Sequence, residues 1–128
     1  MLQHLTKTPK LKKMAMSTDI NDYQTAAREL AVYPDQGTFN GLIYCALKLA
    51  GEAGEVAEKV GKVIRDDGSV LTDAHKVALT KELGDILWYV ANISCELGLA
   101  LSTVTEVNIQ KLADRKARGV LRGSGDNR

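Results

Sequence analysis

An all-α fold with a four-helix-bundle-like core is predicted for this chain, on three observations. Ala, Leu, Val, Glu and Lys dominate, and Phe39, Trp88 and four tyrosines are the only aromatics, a composition that favours helices over a β-sandwich. Proline occurs only at positions 9 and 34, so the chain after Pro34 is free of the strongest helix breaker. Beyond that point apolar residues recur at steps of three and four. At 128 residues and 45% apolar content, one domain with one core is expected, and no apolar run approaches the ~20 residues that cross a bilayer.

Residues 1–17 carry Lys7, Lys10, Lys12 and Lys13 with no acid and little apolar period, and read as a basic, disordered arm. They lack the apolar segment and cleavage site of a signal peptide, and Met14 and Met16 could be alternative starts. A domain is expected over 18–118. Its first helix, about 18–31, would be capped by Ser17 or Thr18 and would bury Ile20, Tyr23, Ala27 and Leu30. Tyr33 to Gly37 makes a turn. Thr38 caps a long second helix to about Arg65, with Leu42, Cys45, Ala46, Leu49, Ala53, Val56, Val60, Val63 and Ile64 as its stripe. After the turn Asp66-Asp67-Gly68-Ser69, Thr72 opens a third helix to about Leu97, stopped by Gly98. Thr103 and Glu106 have capping-box spacing for a fourth helix to about Ala117. Residues 119–128, with Gly119, Gly123 and Gly125, read as a flexible tail that substrate could order as a lid; they are no P-loop, lacking the GK[ST] ending.

The chemistry is expected at two motifs, Glu52-Ala53-Gly54-Glu55 and Glu82-Leu83-Gly84-Asp85. A spacing of three places both acids on one helix face. The connecting loop lies two to three turns from each, so an antiparallel hairpin sets them at similar depth. Four carboxylates so placed repel unless a cation lies among them, and an oxygen-only set suits magnesium better than zinc. Gly51, Gly54 and Gly84 beside the acids suggest a close approach of the two helices, offsetting their helix cost.

The neighbours admit two readings each. Glu55 with Lys59 and Glu58 with Lys62 have the i,i+4 spacing of solvated ion pairs; for Glu58 that reading is preferred over an extra metal ligand. Tyr89 and Asn92 continue the acidic face of the third helix, where they could reach a ribose or phosphate, while Tyr89 could equally pack half-buried. Trp88 is assigned to the core or a subunit contact. His75 lies outside any ExxH spacing, which disfavours a di-iron site. Lys111 and Arg115 share a face with Asn108 and could neutralise a polyphosphate or simply complement the helix dipole. Tyr23, Gln24, Tyr33 and Tyr44 could meet a base or pack the first two helices, and Lys62 is a further substrate candidate.

The net charge of +1 conceals basic ends and an acidic middle. A short basic arm is usually just solvated, so nucleic-acid binding is not expected, nor is a membrane. Cys45 and Cys95, in apolar helical patterns without a CxxC, read as free thiols in a reducing cytoplasm.

The run Leu49 to Lys59, the run Lys81 to Tyr89, and Asn108 to Arg115 together resemble the MazG-like all-α nucleoside triphosphate pyrophosphohydrolases, over most of residues 19–122. The resemblance implies a homodimer or homotetramer that cleaves a nucleoside triphosphate between its α and β phosphates, releasing a monophosphate and pyrophosphate. It implies that Glu52, Glu55, Glu82 and Asp85 hold Mg2+, with Mn2+ as a substitute. By the same resemblance Tyr89 and Asn92 line the nucleotide site and Asn108, Lys111 and Arg115 contact phosphate or sugar. Gly51 departs from members that carry an acid there, which leaves the number of ions open, with two or more expected and Glu58 only a candidate for an extra ligand. Glu55, with Glu52 beside it, is the candidate to orient the attacking water. Two alternatives stand beside this reading: a phosphoribosyl-ATP pyrophosphatase and a non-catalytic helical oligomer or regulator. Base preference, and the choice between house-cleaning and control of the normal deoxynucleotide pool, stay open.

Overall fold

The computed structural model describes residues 19–128; the basic arm, Ser17 and Thr18 lie outside the described residues. The chain forms α1 (Ile20–Glu29), α2 (Phe39–Asp66), α3 (Asp73–Glu96) and α4 (Leu101–Ala117), with no strand among the described residues. No single helix among them is long and apolar enough to cross a membrane.

Local chemistry accounts for most of the helix ends. Asp19 caps α1, its carboxylate accepting from the N–H groups of Asn21 at 2.7 Å and Asp22 at 3.1 Å. Thr38 caps α2 through Gly41 N–H. Gly41 also allows a close approach: a Cβ there would lie 2.4 Å from the carbonyl oxygen of Asp35. Thr72 caps α3 in a capping box closed by His75, whose Nδ1 accepts from the Thr72 N–H at 3.0 Å. That acceptor role leaves the ring proton on Nε2, which faces Asp67 at 3.1 Å across the loop. Gly98, in the left-handed region at φ 68°, ends α3 while Leu99 N–H bonds back to Ser94 O at 2.8 Å.

The start of α4 differs from expectation. Thr103 lies inside the helix, which begins at Leu101 after Ala100, with no side-chain cap of its own. Its first N–H groups are satisfied from another helix: Gln24 Oε1 accepts from Leu101 N–H at 2.8 Å, and Asn21 Oδ1 from Ser102 N–H at 3.0 Å. Gln24 Nε2 donates to Leu99 O at 2.9 Å, so both ends of this buried amide are engaged in the fold. A base-contact role for Gln24 therefore competes with a tertiary cap. Gln24→Leu is expected to cost about 1–2 kcal/mol, because it strands a buried donor and acceptor, and to raise hydrogen exchange selectively at Leu101; unchanged exchange there would sink the assignment.

α2 and α3 pack along their length as an antiparallel hairpin, and α1 lies against α3. The buried centre is Ala27, Ala91 and Leu101, with Ile20, Tyr23, Trp88 and Val90 packed around it. Trp88 thus belongs to the core. A second anchor gathers around Glu96, whose side chain is 1% exposed. Its carboxylate accepts from Arg28 at 3.0 Å, from Gly37 N–H at 2.8 Å and from the Tyr33 hydroxyl.

The expected bundle is incomplete in one respect. The chain turns by 104° between α3 and α4, and α4 touches α1 and α3 without reaching α2. Leu101 plugs the core, while Val104, Val107, Ile109 and Leu112 beyond it stay exposed. Apolar residues of the hairpin, including Ile64 of the predicted stripe and Val77, Leu83 and Leu87 of α3, are exposed as well. Residues 119–128 fold back on the end of α4, where Arg128 donates to the carbonyls of Val120, Leu121 and Gly125.

Candidate active site

The hairpin brings three of the predicted acids together. One carboxylate oxygen each from Glu52, Glu82 and Asp85 lies within 4.8 Å of the others. Burial, then the charges of Asp85, Glu82 and Glu55, push the Glu52 carboxyl above the usual glutamate range. A cation among them would relieve that repulsion, and the donor set is all oxygen, so the residues present fit a hard divalent ion. Glu55 is exposed and lies outside the three-oxygen group, although its charge is among those that raise Glu52.

The flanking pairs sort themselves unevenly. Glu58 bonds Lys62 at 3.0 Å, the solvated pair its spacing suggested, and stays out of the carboxylate group. Lys59 does not pair with Glu55; its ammonium crosses the hairpin to Glu82 Oε1 at 3.3 Å. A same-helix partner stood at i−4, and spacing alone carried no sign of the one across the hairpin. A methyl group added at Gly51, Gly54 or Gly84 would meet nothing within 4 Å, so these glycines mark open space beside the acids and not a close helix approach within the chain.

Tyr89 is half-buried, and its phenol is pushed upward by burial first and then by Tyr44, Glu52, Cys45 and Asp85. Tyr23 is raised by burial and by Asp85. The charge of Asp85 is thus felt at both phenols, and that of Glu52 at Tyr89. Tyr33 stacks on Tyr44 at 5.8 Å between ring centroids. Asn92 is placed otherwise: it is 0% exposed, donating to Trp88 O at 3.1 Å and facing Arg28 at 3.5 Å. It supports the Arg28–Glu96 anchor and does not present its amide to the acids' open side. Arg28 and Glu96 were not singled out from the sequence, because they pair with each other across 68 positions of the chain.

The basic residues of α4 sit apart. Arg115 is 3% exposed and donates to Asp126 Oδ1 at 3.2 Å and to the carbonyl oxygens of Asp126 and Gly125. Lys111 shares the Asp126 carboxylate at 3.3 Å, and Asn108 is exposed on the same helix. Lys111 and Arg115 stand on α4, which turns by 104° after α3 and makes no contact with α2.

Carboxylates that converge from two antiparallel helices in an all-helical chain place the protein in the class of helical proteins with an all-oxygen carboxylate cluster. Within it the family is shown directly: the family model of the MazG nucleotide pyrophosphohydrolase domain matches residues 43–120, and the chain belongs to that family of metal-dependent hydrolases. The match contains the acidic motifs and the Asn108 to Arg115 stretch and leaves α1 outside. The chain is also 49% identical over 116 residues to Gene 37 protein of Mycobacterium phage L5, covering 88% of this chain and 100% of that protein. No solved structure gives a significant match.

Proposed function

We propose that the protein is a nucleoside triphosphate pyrophosphohydrolase that converts a (d)NTP and water to the (d)NMP and pyrophosphate, in nucleotide-pool control or house-cleaning. The observation that carries this is the convergence of Glu52, Glu82 and Asp85 within 4.8 Å in a chain of this family. Mg2+, with Mn2+ able to substitute and two or more ions per site, would supply charge neutralisation on the phosphates and a more acidic water. Glu52, Glu82 and Asp85 would hold it, joined by Glu55 after rotation of its exposed side chain. Glu55 orients the water and takes its proton as the water oxygen bonds to the α-phosphorus. The bond from that phosphorus to the bridging oxygen then breaks, and pyrophosphate leaves with the electron pair. Tyr23 and Tyr89 border the nucleoside side.

The site is proposed to work in a homodimer or homotetramer. Asn108, Lys111 and Arg115 stand on a helix that turns away from α2, and a second copy would deliver them to the acids. The exposed apolar residues of α4 and of the hairpin offer the surface for that contact. A cytoplasmic setting fits the two free cysteines and a triphosphate substrate.

Incubation with each common and modified NTP and dNTP, and with phosphoribosyl-ATP, tests the reading, with magnesium, manganese or a chelator present. The expected result is monophosphate plus pyrophosphate, formed only with metal. Cleavage of phosphoribosyl-ATP alone would transfer the activity to that substrate, and metal-independent or absent turnover would overturn the proposal.

A further inference from the structure

Beside the acidic cluster, toward the loop that joins α2 and α3, the hairpin borders an open cavity of about 360 Å³. Val63, Ala78 and Leu79 contribute its apolar lining, and Lys59 and Lys62 its movable positive charge. Two aspartates also line it but are already held: Arg65 grips Asp66 through two bonds of 2.7 Å, and His75 holds Asp67. Lys62 is tied only to Glu58, both side chains more than half exposed, and such a pair is weak enough to exchange. Lys59 belongs to the cavity and the cluster at once, since it lines the first and bonds Glu82 in the second.

The geometry points to a switching role for Lys59 and a pyrophosphate subsite in this cavity. A divalent cation seeking Glu82 competes with the Lys59 ammonium for the same carboxylate, and doubly charged, it wins. The flexible lysine stem then turns the ammonium into the adjoining cavity, where it and Lys62, one turn further on, hold the anionic end of the ligand. The polarity of the hairpin sets the ligand's direction. Along α3 the order from the loop is His75, Ala78 and Leu79, then Glu82 and Asp85, then Tyr89; the His75 ring on the cavity is already held by Thr72 and Asp67, and no tyrosine, tryptophan or phenylalanine lines it. The face that could stack on a base is thus on the far side of the acids from the lysines. The departing pyrophosphate lies toward the loop and the nucleoside toward Tyr89. This inference rests on the proposed reaction for its substrate, while its binding terms can be read without turnover.

Calorimetry on the full chain tests it with two probes, Mn2+ alone and inorganic pyrophosphate added to the magnesium-loaded protein. Lys59→Gln is expected to bind Mn2+ roughly three- to ten-fold more tightly, because the internal competitor is gone. Lys59→Gln and Lys62→Gln are each expected to weaken pyrophosphate about ten-fold through loss of a charge-assisted bond, with nucleoside monophosphate affinity unchanged. Lys59→Arg should retain pyrophosphate affinity, and unaltered melting temperatures verify the fold of each variant. Unchanged Mn2+ affinity in Lys59→Gln overturns the switching role, and unchanged pyrophosphate affinity in both glutamine variants overturns the subsite. If the substrate panel shows no hydrolysis while these affinities shift as stated, the proposed reaction fails and the anion subsite stands.

Discussion

Glu52→Gln is expected to lower kcat/KM for triphosphate hydrolysis by about three orders of magnitude, the rate equivalent of roughly 4 kcal/mol of lost metal assistance, while leaving the melting temperature unchanged or slightly raised. The two halves of this expectation have one cause. Glu52 is crowded by Asp85, Glu82 and Glu55, and its carboxyl is raised accordingly. In the folded chain its charge is a source of repulsion, so a neutral amide of the same shape relieves strain of a few tenths of a kcal/mol. The same change replaces a charged carboxylate by a neutral amide oxygen in the only three-carboxylate group among the described residues. Pyrophosphate release at saturating magnesium, set beside thermal unfolding with chelator, reads both effects. A variant that kept its rate within a few-fold would remove Glu52 from the site, and a large drop in melting temperature would make it a structural residue.

Glu96→Gln should show the opposite pattern, a large loss of stability. Burial alone would raise the Glu96 carboxyl, but hydrogen bonds from Tyr33, Arg28 and Gly37 overcome it and hold the group below the usual glutamate range. Replacing the carboxylate leaves Arg28 without its charge partner and weakens the pins on the Tyr33 hydroxyl and the Gly37 N–H. Breaking a buried pair costs about 3–5 kcal/mol; with the Arg28 side chain 30% exposed, roughly 2–3 kcal/mol is expected, or about 10 °C or more in melting temperature. The pH dependence follows from the lowered value. The carboxylate contributes its full stability above the ordinary glutamate range and loses it as pH falls through the depressed folded-state value. Denaturant unfolding at neutral and acidic pH should therefore show wild type and variant converging toward acid; a constant gap across the range would mean that the anchor does not act through its charge.

The two residues also divide what was legible in the sequence from what was not. Thr38, Thr72 and Gly98 act at the helix ends where short-range chemistry put them, since a cap needs only its own N–H groups a turn away. The acidic motifs met for a similar reason: with a short loop and a fixed rise, equal distances along two antiparallel helices put Glu52, Glu82 and Asp85 side by side. Asn92 falls on the acidic face by the same period, yet it is buried with its amide bonded to Trp88 and Arg28. Residues flanking the acids showed the limit again. The open space at Gly51, Gly54 and Gly84 and the reach of Lys59 to Glu82 depend on how the two helices are rotated about their axes, which a repeat of three and four leaves loose.

The sequence by itself determined the all-helical class, the four helices to within a few residues at most ends, and the pairing of two acidic motifs on one hairpin. These are properties of local geometry, periodicity and short connections. Only the tertiary structure decided that α4 takes its cap from Asn21 and Gln24 and turns away from α2, that Glu96 pins α1 and the following turn to α3, and that Asp126 covers Arg115. Each of these joins side chains from separate elements, several of them more than 50 positions apart along the chain. Such contacts are chosen by competition among many partners of equal chemistry, and only the packed backbone settles which partner is within a bond length.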